Sequence, residues 1–454
     1  MSFPRYPEYK DSGVEWLGNV PDHWEVVRVR WLCEIKKRIV GELGFDVLSI
    51  TQRVIRIKDT ESNDGQLSMD YSKYQLVEVG DFAMNHMDLL TGYVDISPVQ
   101  GVTSPDYRVF SLRNPVRCHA KFFLYLFQNG YLNKVFYPFG QGSSQLGRWR
   151  LPTEQFNDFW FPVPSFEEQS AIATFLDRET AKIDALVAEQ EKLIALLQEK
   201  RQAVISHAVT KGLDPNVPMK DSGVEWLGEV PGHWEVTALK RHWTATDCKH
   251  VTAEFIEDGI PLASIREVQS RWVELEEAKR TTEYFYQLLT EGGRDPRPGD
   301  LIFSRNATVG EVAQVHRDHE AFAMGQDVVL LRRIEEAASP DFLQLVIRSS
   351  VVTQQLALCM VGSTFKRINV EEIRSLVIAF PPPADQEKIA SHLLAQAENF
   401  DSLMTAARTA ITLLQERRTA LISAAVTGQI DVRGLAGGSI APDSIAACAY
   451  ITSA

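Results

Sequence analysis

Two stretches of the chain carry apolar side chains at the alternating three- and four-residue spacing of a helix that packs along one seam. From Ile172 the seam runs through Leu176, Ile183, Leu186, Leu193, Leu197 and Val204. The second seam comprises Ile389, Leu393, Phe400, Leu403, Ala407, Ala410, Leu414 and Leu421. This spacing predicts two long coiled-coil helices. A Pro-rich segment before each stretch, FPVPSFEEQ and FPPPADQ, marks where each helix begins.

Segments near the two ends of each half of the chain are repeated, whereas the residues between them diverge. We call the repeated segments the frame. KDSGVEWLGNVPDHWEV at 10–26 returns as KDSGVEWLGEVPGHWEV at 220–236, and LLQEKRQAVISHAVTKGLD at 196–214 returns as LLQERRTALISAAVTGQID at 413–431. Between the repeated segments only short landmarks keep their order, such as Gly-Asp at 80–81 and 299–300. Similar frame segments around dissimilar central segments favour one scaffold that carries two different specificities. Sequence drift of the central segments after a gene duplication would leave a similar pattern.

The predicted fold is of the mixed α/β (α+β) class, with two recognition domains separated by two long antiparallel helices in a pseudo-two-fold repeat. The predicted segments are 1–165, 166–212, 213–383, 384–431 and 432–454. The first and third are the domains, the second and fourth are spacer helices, and the last is a flexible tail. A helix of roughly 34 residues would extend about 50 Å.

Charge and cysteine content narrow the function classes. The net charge is -13, yet residues 27–160 hold 16 Lys and Arg against 14 Asp and Glu, and residues 237–380 hold 17 against 21. Most of the negative charge therefore lies outside the two domains, and any nucleic-acid-binding face must be local. The five cysteines are scattered without a CxxC motif, which predicts buried thiols and no metal site. Since no apolar run is long enough for a membrane span, we expect a cytoplasmic protein.

The segment GSSQLGRWRLPTEQFNDFWFPVPSFEEQSAIATFLD, followed by QEKRQAVISHAVTKG and repeated more loosely in the second half, resembles the specificity subunit of type I restriction-modification enzymes. The resemblance spans about residues 8–431. It implies that each half carries a target recognition domain for one part of a bipartite DNA site, and that the helices bind two modification subunits. Two restriction subunits would join them. The resemblance also implies that S-adenosylmethionine, ATP and Mg²⁺ act on those partners and that this chain holds no cofactor of its own.

Missing motifs agree with a chain that binds and does not catalyse. The sequence contains no GxxxxGK[ST] phosphate loop and no [DN]-P-P-[YF] methyltransferase segment. Three alternatives stay open: a specificity subunit of a related two-subunit enzyme that cuts on both sides of its site, a self-sufficient DNA methyltransferase, and a structural adaptor. Spacer helices would hold two readers about one DNA turn (about 34 Å) or more apart, which predicts a split target.

DNA contacts are expected from polar and basic residues in loops, because Arg favours guanine and Asn or Gln favours adenine in the major groove. Two Gly-Ser segments, at 142–144 and 362–364, are each followed by basic residues and are the strongest candidates. In the first domain the candidates are Gln52, Arg53, Arg56, Lys58, Gln141, Ser143, Ser144, Arg148 and Arg150. In the second they are Arg266, Arg305, Asn306, Ser363, Thr364, Lys366 and Arg367. Ordinary surface charge would explain any single Arg or Lys equally well.

Overall fold

The computed structural model describes residues 3–51, 54–59, 71–143, 148–360 and 367–435. The chain divides into two compact units. Unit 1 comprises Met1–Gln190 and Thr409–Ala454, and unit 2 comprises Glu191–Arg408. Each unit therefore combines one recognition domain with a portion of both long helices. The mixed α/β class and a long helix between the two domains are confirmed, and a second long helix follows the second domain.

Unit 1 is built around a four-stranded antiparallel sheet in the order β4-β11-β8-β9, against which helix α2 packs. Short two-stranded sheets (β1-β2, β3-β14, β5-β6, β7-β10 and β12-β13) surround it. Aromatic side chains, including Phe82, Phe110 and Phe127, fill its core. The strands are β1 Tyr9–Asp11, β2 Asn19–Pro21, β3 Glu25–Arg28, β4 Cys33–Lys36, β5 Leu48–Ile50, β6 Ile55–Ile57, β7 Gln75–Val77, β8 Phe82–Met84, β9 Val94–Ile96, β10 Gly101–Thr103, β11 Arg108–Leu112, β12 Gln141–Ser143, β13 Arg148–Arg150 and β14 Trp160–Val163. The helices are α1 Val29–Leu32, α2 Ala120–Leu132, α3 Thr153–Asp158 and α4 Phe166–Lys211.

Unit 2 repeats this plan with a four-stranded antiparallel sheet in the order β18-β25-β22-β23. A second sheet, β19-β21-β20-β24, contains one parallel pair, β20 with β24. The strands are β15 Met219–Asp221, β16 Glu229–Pro231, β17 Glu235–Ala238, β18 Trp243–Asp247, β19 Phe255–Ile256, β20 Ile260–Ala263, β21 Arg280–Thr281, β22 Leu301–Ser304, β23 Val312–Gln314, β24 Ala323–Met324, β25 Val328–Arg333 and β26 Val377–Phe380. The helices are α5 Glu283–Thr290, α6 Pro340–Ile347, α7 Ser350–Cys359, α8 Val370–Arg374 and α9 Pro383–Val426.

A buried glutamine near the start of each long helix ties that helix to its recognition domain. Gln169 accepts a hydrogen bond from the backbone N–H of His119 (2.8 Å), and Gln386 accepts one from that of Ser339 (2.9 Å). Their amide groups donate to the backbone carbonyls of Pro164 (2.9 Å) and Pro381 (2.8 Å). The Pro-rich motif and its following Gln therefore form a structural joint, since each Gln pairs backbone groups that would otherwise be buried and unsatisfied.

The repeated His-Trp dipeptides hold the first turns of the same helices. In unit 1, His23 and Trp24 reach Glu168 at 2.9 Å and 3.1 Å. In unit 2, His233 lies 2.8 Å from Asp385, whose pKa is lowered chiefly by that hydrogen bond. The acidic residues thus lie where the positive end of the helix dipole favours them and also receive side-chain donors. This explains why the sequence repeats His-Trp together with an acidic residue in each first turn.

Both long helices are longer than the roughly 34 residues used in the length estimate, and their bounds lie close to those of the predicted spacer segments, 166–212 and 384–431. Helix α4 has 46 residues and α9 has 44, or roughly 65–70 Å each. Within each unit, an ion pair joins the two long helices. Asp184 pairs with Arg418 in unit 1 (2.9 Å), and Arg201 pairs with Asp401 in unit 2 (2.6 Å). Both pairs join residues that occupy matching positions in the 217-residue repeat.

Most positions of the predicted seam are buried or half-buried, and the exposed ones are Leu186, Leu193 and Leu403. Leu186 and Leu403 were expected to pack, yet 51% and 54% of their surface is exposed. Their neighbours Val187 and Met404 pack inward instead. Each pair offers two adjacent apolar side chains, and the sequence pattern does not decide between them. Paired coiled-coil packing along the whole helices stays a prediction.

The Gly-Asp landmarks mark a tight turn before a central strand. Gly80 and Gly299 adopt positive φ angles of 89° and 87°, which residues with a Cβ rarely adopt. The aspartate that follows accepts a backbone N–H three residues earlier, from Glu78 to Asp81 (2.9 Å) and from Arg297 to Asp300 (2.8 Å). The landmark therefore has a structural role in both units.

Part of the predicted flexible tail is ordered. Val432 is fully buried in the core of unit 1, and Arg178 donates to the backbone carbonyl of Leu435. Residues 436–454 lie outside the described part. Cys33, Cys118 and Cys248 are buried as predicted, whereas Cys359 is exposed. Within the described ranges no single helix is long and apolar enough to cross a bilayer, and one bent helix pair, α6 with α7, meets that criterion only jointly.

Candidate nucleic-acid interface

At one end of each central sheet the strands lead into polar loops. We call this end of the sheet the loop edge. In unit 1 it lies where β8 ends and β11 begins, since Met84 is opposite Arg108. In unit 2 it lies where β18 and β22 end and β25 begins, since Asp247 is opposite Val329 and Ser304 is opposite Val328. The other end of each sheet leads to the glutamine joint with the long helix. The loop edge is therefore the end of the sheet that points away from this joint.

At this edge, Leu151 and Ile368, which follow the two Gly-Ser segments in the sequence, make the same backbone contact, and we call these two places the exits. The N–H of Leu151 donates to the carbonyl of His86 (2.9 Å), and the N–H of Ile368 donates to that of Arg305 (3.0 Å). The residues just before these contacts, Arg150 and Arg367, are exposed. Across the ranges that the structure describes, neither forms an ion pair with a carboxylate. Two predicted DNA contacts thus occupy matching positions as exposed cations without an ion pair in the described ranges, which suits phosphate or a guanine edge.

In unit 1 the structure gathers four predicted residues on one hairpin. Strand β12 pairs with β13 so that Gln141 is opposite Arg150 and Ser143 is opposite Arg148. Backbone register therefore brings Gln141, Ser143, Arg148 and Arg150 together. The exposed side chains of Gln141 and Arg150 are neighbours across the hairpin.

Beneath this hairpin lie two groups that the sequence did not single out, His86 and Arg108. Arg108 is 4% exposed, donates to the carbonyl of Leu151 (3.1 Å), and stacks over Phe156. Burial lowers the pKa of Arg108 to about 10. Burial, followed by the Arg108 charge, lowers the pKa of His86 to about 3, so His86 is neutral at physiological pH. The edge of unit 1 thus rests on a buried cation without a carboxylate partner in the described part of the chain.

The edge of unit 2 has a different chemistry. Asn306 is half-buried, its backbone forms a bridge with Arg367, and its side-chain oxygen accepts the N–H of Ala307 (2.9 Å). Arg305 was expected to contact DNA directly, but it is 4% exposed. Its guanidinium lies 3.4 Å from Asp247 and donates to His250 at 3.1 Å. Because a buried arginine needs partners and here has them within the protein, its placement favours an internal role over surface contact.

The remaining described candidates are not part of these exits. Arg56 and Lys58 are on and just after β6, in a separate hairpin. Arg266 is exposed, and it donates to the carbonyl of Glu277 (2.8 Å) and to Glu267 (3.1 Å). It lines an apolar cavity of about 460 Å³ in unit 2 together with Gln326 and Lys279. The other candidates fall outside the described residues: Gln52, Arg53, Ser144, Ser363, Thr364 and Lys366.

One group of side chains in unit 2 resembles a metal-ligand set. Ligand atoms of Asp247, Cys248 and His250 lie within 4.8 Å of one another. However, the guanidinium of Arg305 contacts both the carboxylate and the imidazole. A divalent cation would have to lie beside this buried positive charge, and we therefore assign the cluster to Arg305.

Comparisons with known proteins agree with this architecture. The profile described as Type I restriction modification DNA specificity domain matches residues 21–195 and 286–412, well over half of the chain. The putative type I restriction enzyme MjaX specificity subunit of Methanocaldococcus jannaschii is 20% identical over 440 residues, covering 92% of this chain and 96% of that protein. The type I restriction enzyme EcoBI specificity subunit of Escherichia coli is 21% identical over 320 residues, covering 69% and 66%.

A solved structure supports the fold. The chain is similar to one from a structure described as the structural basis underlying complex assembly and conformational transition of the type I R-M system. The TM-score is 0.60 at 15% identity, and the match covers 90% of this chain and 98% of that one. At this identity the likeness concerns the arrangement of helices and strands.

Proposed function

Because the chain belongs to the family of type I restriction-modification DNA specificity proteins, we propose that it selects the DNA site at which a restriction-modification assembly acts. Each unit reads one half of a bipartite sequence. Unit 1 reads through the β12–β13 hairpin, and unit 2 reads through the loop edge that carries Asn306 and Arg367.

The proposal rests on one observation. Both units share the same frame, but the side chains at their two loop edges differ. Arg150 and Arg367 lie at matching exits, each followed by the same backbone contact. Below the exits, unit 1 places His86 where unit 2 places Arg305, and the chemistry of the neighbouring loops differs as well. A protein that read one repeated sequence would need like edges, whereas unlike edges on a common frame suit two different half-sites.

Under this proposal the chain binds and does not catalyse. Two modification subunits and two restriction subunits supply methylation, translocation and cleavage, and S-adenosylmethionine, ATP and Mg²⁺ act there. The long helices offer a docking face for the modification subunits, because they expose leucines at repeated positions. Leu186 and Leu413 are exposed in unit 1, and Leu196 and Leu403 are exposed in unit 2. Each belongs to a pair 217 residues apart, as two copies of one partner would require.

The test is to change each exit arginine and determine the methylated motif in cells that also express the modification subunit. We expect Arg150→Ala to alter only the first half of the motif and Arg367→Ala only the second. Loss of a bidentate guanine contact should lower affinity about 5- to 100-fold. Arg117→Ala and Arg317→Ala are matched controls, since both side chains are exposed near the opposite ends of the sheets. A motif that changes in both halves with either exit variant would contradict independent reading.

A further inference from the structure

Three loops meet at the loop edge of unit 2, and together they present side chains that the repeat pattern did not reveal. The N–H of Cys248 donates to the carbonyl of Val328 (3.3 Å), and the N–H of Arg305 donates to that of Asp327 (3.0 Å). The amide of Gln326 donates to the hydroxyl of Thr252 (3.4 Å). Residues 248–252, 305–307 and 325–327 therefore form one surface.

The contact with Arg305 determines what His250 can offer at this surface. The Nε2 atom of His250 lies 3.1 Å from the guanidinium of Arg305, which has only donors, and 3.3 Å from the carboxylate of Asp247, which can only accept. The shorter contact favours Nε2 as the acceptor of a hydrogen bond from Arg305. The ring proton then lies on Nδ1. Since His250 is exposed, its outward-facing chemistry is that of an N–H donor. Asp247 fixes the other side of the guanidinium at 3.4 Å.

The backbone around Gln326 is constrained on both sides. A Cβ at Gly325 would overlap the Ser264 hydroxyl, so a larger residue there would require that hydroxyl to move. Asp327 has a φ of 65°, and Ala307 on the adjoining loop has a φ of 56°. Left-handed backbone is unfavourable for residues with a Cβ and persists where the surroundings impose it, often at binding sites. Gln326 is exposed between these constraints, and its amide can pair with the N6 and N7 atoms of adenine.

We propose that His250 and Gln326 are specificity-determining residues for the second half-site and that Arg305 is a positioning residue for His250. This inference rests on the proposed function. Gln326 reads an adenine edge. His250 donates from Nδ1 to an acceptor on a base edge, for which guanine N7 and O6 are the major-groove candidates. Arg305 does not touch DNA and acts by fixing the tautomer and orientation of the imidazole.

The experiment selects bound sequences from a pool of random duplex DNA with the full chain and its modification partner, followed by affinity titrations at several salt concentrations. The variants are Gln326→Ala, His250→Ala and Arg305→Lys, and Arg317→Ala is the control at the far end of the same sheet. We expect the two alanine variants each to relax one position of the second half, with affinity about 5- to 100-fold lower. The first half should stay unchanged, and selection at the remaining positions of the second half reports that unit 2 of each variant is folded.

The Arg305→Lys variant distinguishes a role of Arg305 in positioning His250 from a direct contact between Arg305 and a DNA phosphate. Lysine keeps the charge but cannot hold Asp247 and His250 with one planar fork. We expect it to relax the same position as His250→Ala, with no added effect in the double variant and with an unchanged salt slope. A lost phosphate contact would instead lower the slope by about one without changing base preference.

The outcomes distinguish this inference from the proposed function. If the wild-type assembly selects no sequence, the proposed function fails. If it selects a split site and neither Gln326→Ala nor His250→Ala changes the second half, the inference alone is overturned. A lower salt slope with unchanged base preference in His250→Ala would likewise overturn it. Should Gln326→Ala fail to fold, Gln326→Glu keeps the shape of the side chain, removes the amide donor, and must relax the same position.

Discussion

The joint between each recognition domain and its long helix gives a sharp prediction. Replacing Gln169 with alanine removes three hydrogen bonds that join the helix start to the domain: from the His119 N–H (2.8 Å), and to the carbonyls of Pro164 (2.9 Å) and Arg117 (3.0 Å). Gln169 is fully buried, so water cannot replace these partners without an opening of the structure. Gln386→Ala removes two such bonds in unit 2.

The number of hydrogen bonds removed determines the expected loss in the free energy of unfolding. At about 1 kcal/mol for each bond, Gln169→Ala should lower the free energy of unfolding of unit 1 by about 3 kcal/mol, and Gln386→Ala that of unit 2 by about 2 kcal/mol. For units of this size the first change corresponds to roughly 6–12 °C in Tm. Hydrogen exchange measured peptide by peptide assigns the loss to one unit. Gln202→Ala, which removes a single bond to the Arg348 carbonyl (2.8 Å), is the control and should cost about 1 kcal/mol.

A glutamate at the same position tests the direction of the hydrogen bonds. Gln169→Glu can still accept from His119 but cannot donate to the two carbonyls while it is ionised. It should therefore destabilise unit 1 at least as much as alanine at neutral pH and recover partly in acid. A loss below about 0.5 kcal/mol in both alanine variants, or reduced protection in the wrong unit, would refute the joint as described.

Three further predictions concern pH, the helix pairs and partner docking. Folding lowers the pKa of His86 from 6.5 to about 3, so the fold is favoured by the neutral form above about pH 6.5, and about 2 kcal/mol of the free energy of unfolding should be lost on acidification to about pH 5. Urea unfolding of the wild type and of His86→Gln at neutral pH and at about pH 5 measures this loss. An equal dependence of stability on pH in the two proteins would contradict the prediction. The half-exposed pair of Asp184 and Arg418 should show a coupling energy of at most about 1 kcal/mol in a double-mutant cycle, and a value above 2 would show that the pair is far better shielded from water than the structure indicates. Leu186→Ser and Leu403→Ser should leave the Tm almost unchanged, since both side chains are exposed, but should reduce co-purification of the modification subunit; full retention would exclude these leucines from the docking face.

The sequence could locate the proposed interface only at residues that follow the repeated landmarks. Arg150 and Arg367 follow the Gly-Ser landmarks, so their matching positions were visible in the chain. His250 and Gln326 belong to the divergent middle, where no second copy points to them. Arg305 looked like a loop arginine suited to DNA. Its burial depends on Asp247, which is distant in sequence and is brought close only when β18 and β22 pair with β25.

The sequence by itself determined the architecture, because helix periodicity, proline positions and the duplicated frame are local or repeated signals that do not depend on distant contacts. Tertiary structure alone decided which of two adjacent apolar residues faces inward, as at Leu186 and Val187, since a helix of 3.6 residues per turn lets either one follow a heptad pattern. It also decided which cations are buried and which reach the surface. Burial of a charge depends on partners that folding brings together, and the order of residues along the chain does not encode those distances directly.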